Sequence, residues 1–300
     1  ASGGGAVAIG APTSASATNA TATGNGSQAL AASTLALGDS NTVAAAAGVG
    51  SIAAGSNSRV LGGTGAVAMG AGNVANGNGA VAIGDPNTAT GDGAVAQGKD
   101  NTATGNGSVA MGNTNKVGGG GQDVSVPGTA AQGAVGIGFQ NTVVGQGSVA
   151  IGSTSKALAA GAVAFGDTAV ANNAGDVALG SGSVTAAAVG TPSATINGKV
   201  YNFQGVAPTS TVSVGAGGTE RTITNVAAGR ISGTSTDAIN GSQLFATNSA
   251  IADVATTAGK GWNLSANGEA TPQNIAPGGT ADFANGSNTT VTRTGNQIRV

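Results

Sequence analysis

Histidine and cysteine are both absent from this chain. Without them no Ser-His-Asp or Cys-His triad can be assembled, and the ordinary zinc ligand sets are missing. No disulfide framework exists, so an oxidising compartment is neither required nor excluded. Charge is scarce as well: charged residues make up 7% of the chain and the net charge is −2. So sparse and slightly acidic a balance argues against nucleic acid as a partner. Large apolar residues are few enough to suggest disorder, but that signature also needs a high net charge, which is lacking. There is no apolar run of membrane-spanning length, no alternating transmembrane-strand pattern and no signal peptide. Any membrane attachment would therefore depend on an anchor outside these residues. The start within a repeat at Ala1 and the end on a strand-like Val300 read as an excised fragment.

What the chain has is glycine, 56 of 300 residues, and a motif to which it keeps returning. Gly79-Ala80-Val81-Ala82-Ile83-Gly84 has near-copies at residues 5–10, 65–70, 93–98, 107–112, 133–138, 147–152, 161–166 and 175–180. The closing glycines at 70, 84, 98 and 112 are 14 residues apart, as are those at 138, 152, 166 and 180. A fixed short period marks a solenoid, in which each repeat leans on its neighbours. Alternation along a strand puts Val81 and Ile83 on one face and Ala80 and Ala82 on the other. Both faces are apolar, as in a strand covered on two sides. The other half of each unit, such as Asp85-Pro86-Asn87-Thr88-Ala89-Thr90-Gly91, reads as a second, outward-facing strand with Gly, Asn and Asp at the turns.

Two short strands per coil make a narrow β-roll whose interior holds only small side chains, hence the alanine face. The branched face then has no partner within its own coil. Val67, Met69, Val81, Ile83, Val109, Met111, Val149, Ile151, Val163 and Phe165 are accordingly expected in the core shared between roll and neighbouring chains. An apolar strip of this height is too large for a soluble monomer, so burial against identical chains is expected. Residues 1–60 carry degenerate hexads, and the step from Gly38 to Gly55 is 17. The 26-residue step from Gly112 to Gly138 implies a surface excursion within Lys116–Gln132, where four glycines and Pro127 cluster.

Beyond the repeats, Ala194–Tyr201 predicts a hairpin around Asn197-Gly198. A helix is predicted from Thr236 to Ala258, capped by Ser235 or Thr236, with Asp237 in the first turn and Gly259 and Gly261 at the end. Leu244, Asn248, Ile251, Ala255 and Ala258 follow a coiled-coil spacing, with a second register through Phe245 and Asn248 also open. Asn248 reads as a polar core residue that fixes register or as part of an anion-holding layer on the axis. Trp262 reads as a packing residue, and short strands such as Thr289–Arg293 complete the chain.

These residues resemble the trimeric autotransporter adhesins over nearly the whole chain. The Ala-Val-Ala-Ile-Gly repeat is similar to the YadA-like head, which implies a left-handed parallel β-roll in a homotrimer. Ile223–Gly229 followed by Asp237–Leu244 resembles the family's neck, with Asn225, Val226, Gly229, Asp237, Ile239, Asn240, Gln243 and Leu244 carrying the likeness. Asn248 and Ile251 then continue into a short trimeric coiled coil. The resemblance divides the chain into a head (1–183), a connector with a β-hairpin insertion (184–222), a neck (223–245), a coiled coil (246–260) and a Trp-ring-like β stalk domain (261–300). It implies a surface adhesin that binds host matrix proteins or cell receptors. Such a protein is held in the outer membrane by a C-terminal anchor that these residues do not include, and it needs no cofactor or metal. Ser148-Val149-Ala150-Ile151-Gly152-Ser153-Thr154-Ser155 resembles a family motif linked to collagen, with Gly147 in place of the usual asparagine.

Other readings of single features are weaker. Asp85 and Asp92 fall on turns rather than pairing for acid–base chemistry. Gly-x-Gly runs such as Gly91-Asp92-Gly93 precede no helix, as a phosphate loop would require. The nine-residue, aspartate-rich pattern of calcium-binding rolls is absent. Stacked Thr88/Thr90 and Thr102/Thr104 leave an ice-binding solenoid open, and a non-adhesive spacer is a further alternative.

Overall fold

The computed structural model describes residues 1–118 and 131–300. It is mostly β, and its larger unit, Ala1–Thr222, is a parallel β-solenoid of about twelve turns. Each turn contributes one strand to each of two ladders. The hexad strands form the first ladder, from Val7–Ile9 through Val81 and Val95 to Val177–Leu179, every one paired in parallel with the next. The register is that of the repeat: Val81, Ala82, Ile83 and Gly84 pair with Val95, Ala96, Gln97 and Gly98. The second ladder stacks Thr42–Val43, Arg59–Gly62, Val74–Asn76, Thr88–Thr90, Thr102–Thr104 and their equivalents.

The interior between the ladders is alanine. Ala80, Ala82 and Ala89 are fully buried, as are Ala94, Ala96 and Ala103 one turn on, with Val43, Val60, Val117 and Val143 the largest apolar side chains inside. Strands joined rung to rung satisfy their backbone groups along the ladder, so a very thin core suffices.

Irregular steps are absorbed at the turns without breaking the register. Leu35 pairs with Ile52 and Gly38 with Gly55 across the 17-residue step. Met111 pairs with Ile137 across the 26-residue step. Within the span Lys116–Gln132, where the excursion is expected, Lys116–Val117 is a rung of the second ladder between Thr102–Ala103 and Thr142–Val143. Residues 119–130 of that prediction lie outside the described residues.

After Leu179 the chain leaves the ladder, forms the hairpin Ser193–Ile196/Lys199–Asn202 and returns as Val212–Ser213, which pairs with Val177 and Ala178. The hairpin turn is the predicted one, with Asn197 and Gly198 both at positive φ.

The second unit, Ile223–Val300, holds one helix and two small hairpins. The helix, α1, runs Gly241–Gly259 and starts five residues later than predicted. Its cap is Asn240 rather than Ser235 or Thr236, because Asn240 and Gln243 form a reciprocal capping box that satisfies the first free N–H groups. Asp237 lies outside the helix. Trp262–Leu264 pairs with Gln273–Ile275, and Thr292–Thr294 with Gln297–Arg299. The strand expected at Thr289–Arg293 is found at Thr292–Thr294, and the chain turns at Gly295, which has the positive φ that a tight turn requires.

Candidate functional site

Three surfaces could carry function: the outward face of the first ladder, the outward face of the second ladder with its turns, and the neck. Their construction begins with the closing glycines. Gly98 has φ +117°, and a Cβ there would lie 2.0 Å from the carbonyl oxygen of Gly112 in the next turn. Only glycine allows the coils to approach so closely.

Three residues after each closing glycine the chain turns inward. Asn41, Asn73, Asn87, Asn101, Asn115 and Asn141 are buried at this position, with Ser27, Ser58 and Ser155 in flanking turns. Asn101 Nδ2 donates to Gln97 O (3.0 Å), to Gly112 O (2.8 Å) and to Asn87 Oδ1 (2.9 Å). Its own Oδ1 accepts from the backbone N–H of Asn115 (3.0 Å) and from Asn115 Nδ2 (2.9 Å). The result is a stacked column of amides from Asn73 to Asn141 down one corner of the roll, with the same set of bonds at Asn87, Asn101, Asn115 and Asn141. The sequence reading placed these asparagines among turn residues. Their recurrence at a fixed offset from the closing glycine was the signal available. Among the described residues no buried side-chain nitrogen or oxygen lacks a partner.

With alanine and asparagine filling the inside, the branched residues face out. Val67, Val81, Val109, Val149 and Val163 are half-buried on the outer face of the first ladder, with Ile83, Met111 and Ile151 beside them. Met69 is 42% and Phe165 50% exposed. None of these ten residues lies in the interior of the roll, so the roll-core half of that expectation is corrected.

The Ser148–Ser155 motif separates in the same way. Ser148 and Ser155 are fully buried, with their hydroxyls donated to the carbonyls of Gly145 and Gly166. Ala150 is buried too, and Gly152 O accepts from Asn141 Nδ2 at 2.9 Å. Val149 and Ile151 lie on the apolar outer face, and Ser153 and Thr154 are half-buried at the turn, with the Thr154 hydroxyl donated to Ser153 O at 2.7 Å. The hydroxyls of Ser148 and Ser155 are thus used inside the roll. On the second ladder, Thr88 stacks on Thr102 and Thr90 on Thr104, but Lys116 follows Thr102, so the threonine array is two turns deep.

The last turn is closed by charged side chains. Asp176 is fully buried where other turns carry Ala, Ser or Thr. Its carboxylate accepts from the backbone N–H groups of Thr211 (2.9 Å) and Asn173 (3.1 Å) and from Asn173 Nδ2 (2.8 Å). Burial pushes this carboxyl up, but hydrogen bonds from Thr185, Thr211 and Asn173 outweigh it and bring the pKa down to about 2. Arg221 donates to Val214 O (2.6 Å), Ser183 Oγ (3.1 Å) and Ser181 O, fastening the returning strand.

In the second unit, Gln243 pairs with the backbone of Gly229 in both directions, Oε1 accepting at 2.9 Å and Nε2 donating at 2.7 Å. Asn240 Nδ2 donates to Val226 O at 3.1 Å. A Cβ on Gly229 would stand 2.1 Å from Ala238 O, which is why glycine occupies the loop there. Asp237 receives Arg230 Nε at 2.7 Å and Nη2 at 3.0 Å. The Arg230 side chain, then its backbone N–H, holds that carboxyl below its usual range. Asn225 takes a left-handed φ of 60°. The predicted residues Asn225, Val226, Gly229, Asp237, Asn240 and Gln243 are therefore brought together as a pinned loop. Ile239, Leu244 and Ile251 are not packed in the single chain, being 62%, 59% and 62% exposed. Asn248 is likewise exposed, and α1 has no buried residue at all.

Comparison with known proteins places these elements in families. The YadA head domain repeat matches residues 1–27, 15–41, 62–85, 89–115, 130–155, 144–167 and 157–183. The coiled stalk of trimeric autotransporter adhesin matches residues 222–267. Together the two families span well over half of the chain. The autotransporter adhesin BtaE of Brucella suis biovar 1 (strain 1330) is 63% identical over 75 residues, which is 25% of this chain and 10% of that protein. A solved C-terminal YadA-like domain from Burkholderia pseudomallei is 55% identical, covers 39% of this chain and 50% of its own, and has a TM-score of 0.31. With the period-14 roll, the pinned neck loop and the unpacked helix accounted for by these two families, the chain belongs to the YadA-like trimeric autotransporter adhesins.

Proposed function

We propose that this chain forms the head, neck and first stalk segment of a homotrimeric bacterial surface adhesin that attaches to host extracellular matrix or host cells. The observation that carries the reading is the unpartnered outer face of the first ladder. It is a largely apolar strip on a roll of about twelve turns already filled by alanine, broken at the Thr21/Thr23 rung and at Gln97. A strip so long demands burial, and identical chains bury it most simply. The exposed apolar side chains of α1 need the same partners.

Once the first ladder is covered, the second ladder and the turns are what remain for a ligand. So thin a roll offers no deep pocket, which disfavours small molecules. Three equivalent faces let weak contacts add by avidity, which suits fibrous or multivalent partners such as matrix proteins, collagen among them. An outer-membrane anchor supplied outside these 300 residues would present the head at the cell surface.

Residues 1–222, kept trimeric by a fused coiled coil, are expected to retain binding to matrix proteins or cells, and residues 223–300 to retain little. The cut belongs after 222 because Thr211, Val212–Ser213 and Arg221 close the roll. Binding carried mainly by residues 223–300 would reduce the head to a spacer.

A further inference from the structure

The valine row of the first ladder is the same at every rung from Val67 to Val177, apart from the residues each valine flanks. Chains packed through such a row could slide past one another by one coil, about 4.8 Å, and meet an almost identical surface. A repeating interface of this kind leaves its axial register weakly specified. The neighbouring outward row is different. From Leu37 to Leu179 it is apolar at every rung except one, where Gln97 stands between Ile83 and Met111. Gln97 is exposed in the single chain, and its side chain makes no hydrogen bond among the described residues, although its backbone carbonyl is held by Asn101.

We propose that Gln97 is the register-determining residue of the head: in the trimer the three Gln97 side chains meet at one height and hydrogen-bond to one another. This inference rests on the homotrimer proposed above. A primary amide donates two N–H groups and accepts through its oxygen, so identical amides around a rotation axis can satisfy one another in a ring. A slip of one coil sets each Gln97 against Ile83 or Met111 of its neighbours, which can neither donate nor accept. The amide is then buried without a partner, and the slipped arrangement is disfavoured. A single polar residue in an otherwise apolar seam fixes alignment in coiled coils by the same physics.

The chain has no cysteine, so one can be introduced cleanly. Met69→Cys, two rungs from Gln97 on the same row, is prepared in the full chain with and without Gln97→Ile. Light scattering is measured first: a monomer overturns the trimer reading itself. In the trimer, mild oxidation of Met69→Cys should link chains efficiently, because equivalent residues stand at one height. Adding Gln97→Ile should leave the trimer intact and as heat-resistant as before or more so, while lowering the cross-linking yield at least twofold as slipped registers become populated. Equal yields with and without Gln97→Ile in a proven trimer would overturn the assignment of Gln97 alone. Failure of Met69→Cys to cross-link in that trimer would overturn it too, by showing that this row does not face a neighbour.

Discussion

A buried amide and a missing Cβ decide the roll residue by residue. Asn101 serves three acceptors and is itself an acceptor twice. Asn101→Ala would strand the carbonyls of Gln97 and Gly112 and the N–H of Asn115 away from water. A loss of about 1–3 kcal/mol is expected from an unsatisfied buried group, read as a lower denaturant midpoint. A loss near zero would mean that water replaces the amide. The glycines make a matched pair. Gly98→Ala puts a methyl 2.0 Å from a backbone oxygen and should prevent the coils from closing. Gly93 has φ +66° but open space around its missing Cβ, so Gly93→Ala should cost only the left-handed penalty of about 1–2 kcal/mol. Thermal unfolding of the two variants side by side tests the distinction.

At the scale of elements, the last rung depends on a charge. Val212–Ser213 returns to the ladder after a long excursion, and the carboxylate of Asp176 holds the backbone of Thr211 just before it. The folded pKa of about 2 lies below the ordinary 3.8. The stabilisation is therefore fully present above the unfolded pKa and is lost as pH falls through the folded one. Closure of the roll should weaken between about pH 4 and pH 2, and Asp176→Asn should flatten the thermal stability curve over that window. An unchanged pH profile in Asp176→Asn would remove Asp176 as the cause. The hairpin, the period and the neck loop were legible from local signals: an Asn-Gly turn, recurring glycines, a matched motif. The start of α1 was not. Ser235, Thr236 and Asn240 are all competent caps, and Asn240 caps through its box with Gln243, whose side chain is also held by the backbone of Gly229, 14 residues away.

For the whole molecule, the question is which face of the roll is shared. Ile83→Asp would bring carboxylates together in the apolar strip, where an unpaired buried charge costs several kcal/mol before relaxation. The assembly should lose thermal stability sharply and dissociate by light scattering. Thr90→Asp, on the outward side of the second ladder, should be nearly silent. Equal effects at the two positions would mean that the faces have been interchanged.

Periodicity in the sequence alone determined that the chain is a solenoid, that glycine closes each coil, and that alanine lines one side of the strand. These follow from spacing and side-chain volume, which are local properties. The destination of Asn87, Ser148 and Ser155 was decided only by the tertiary structure. An asparagine at a turn and an asparagine in a buried column look alike until the next coil supplies its carbonyl and its amide. The inner side of the hexad strand was legible from side-chain volume, which put alanine inside the roll and left Val81 and Ile83 outside. The burial of Val43, Val60, Val117 and Val143 on the second ladder was decided only by the tertiary structure. Their side chains fit because the facing strand offers small residues: a Cβ on Gly136 would stand 2.7 Å from Val117.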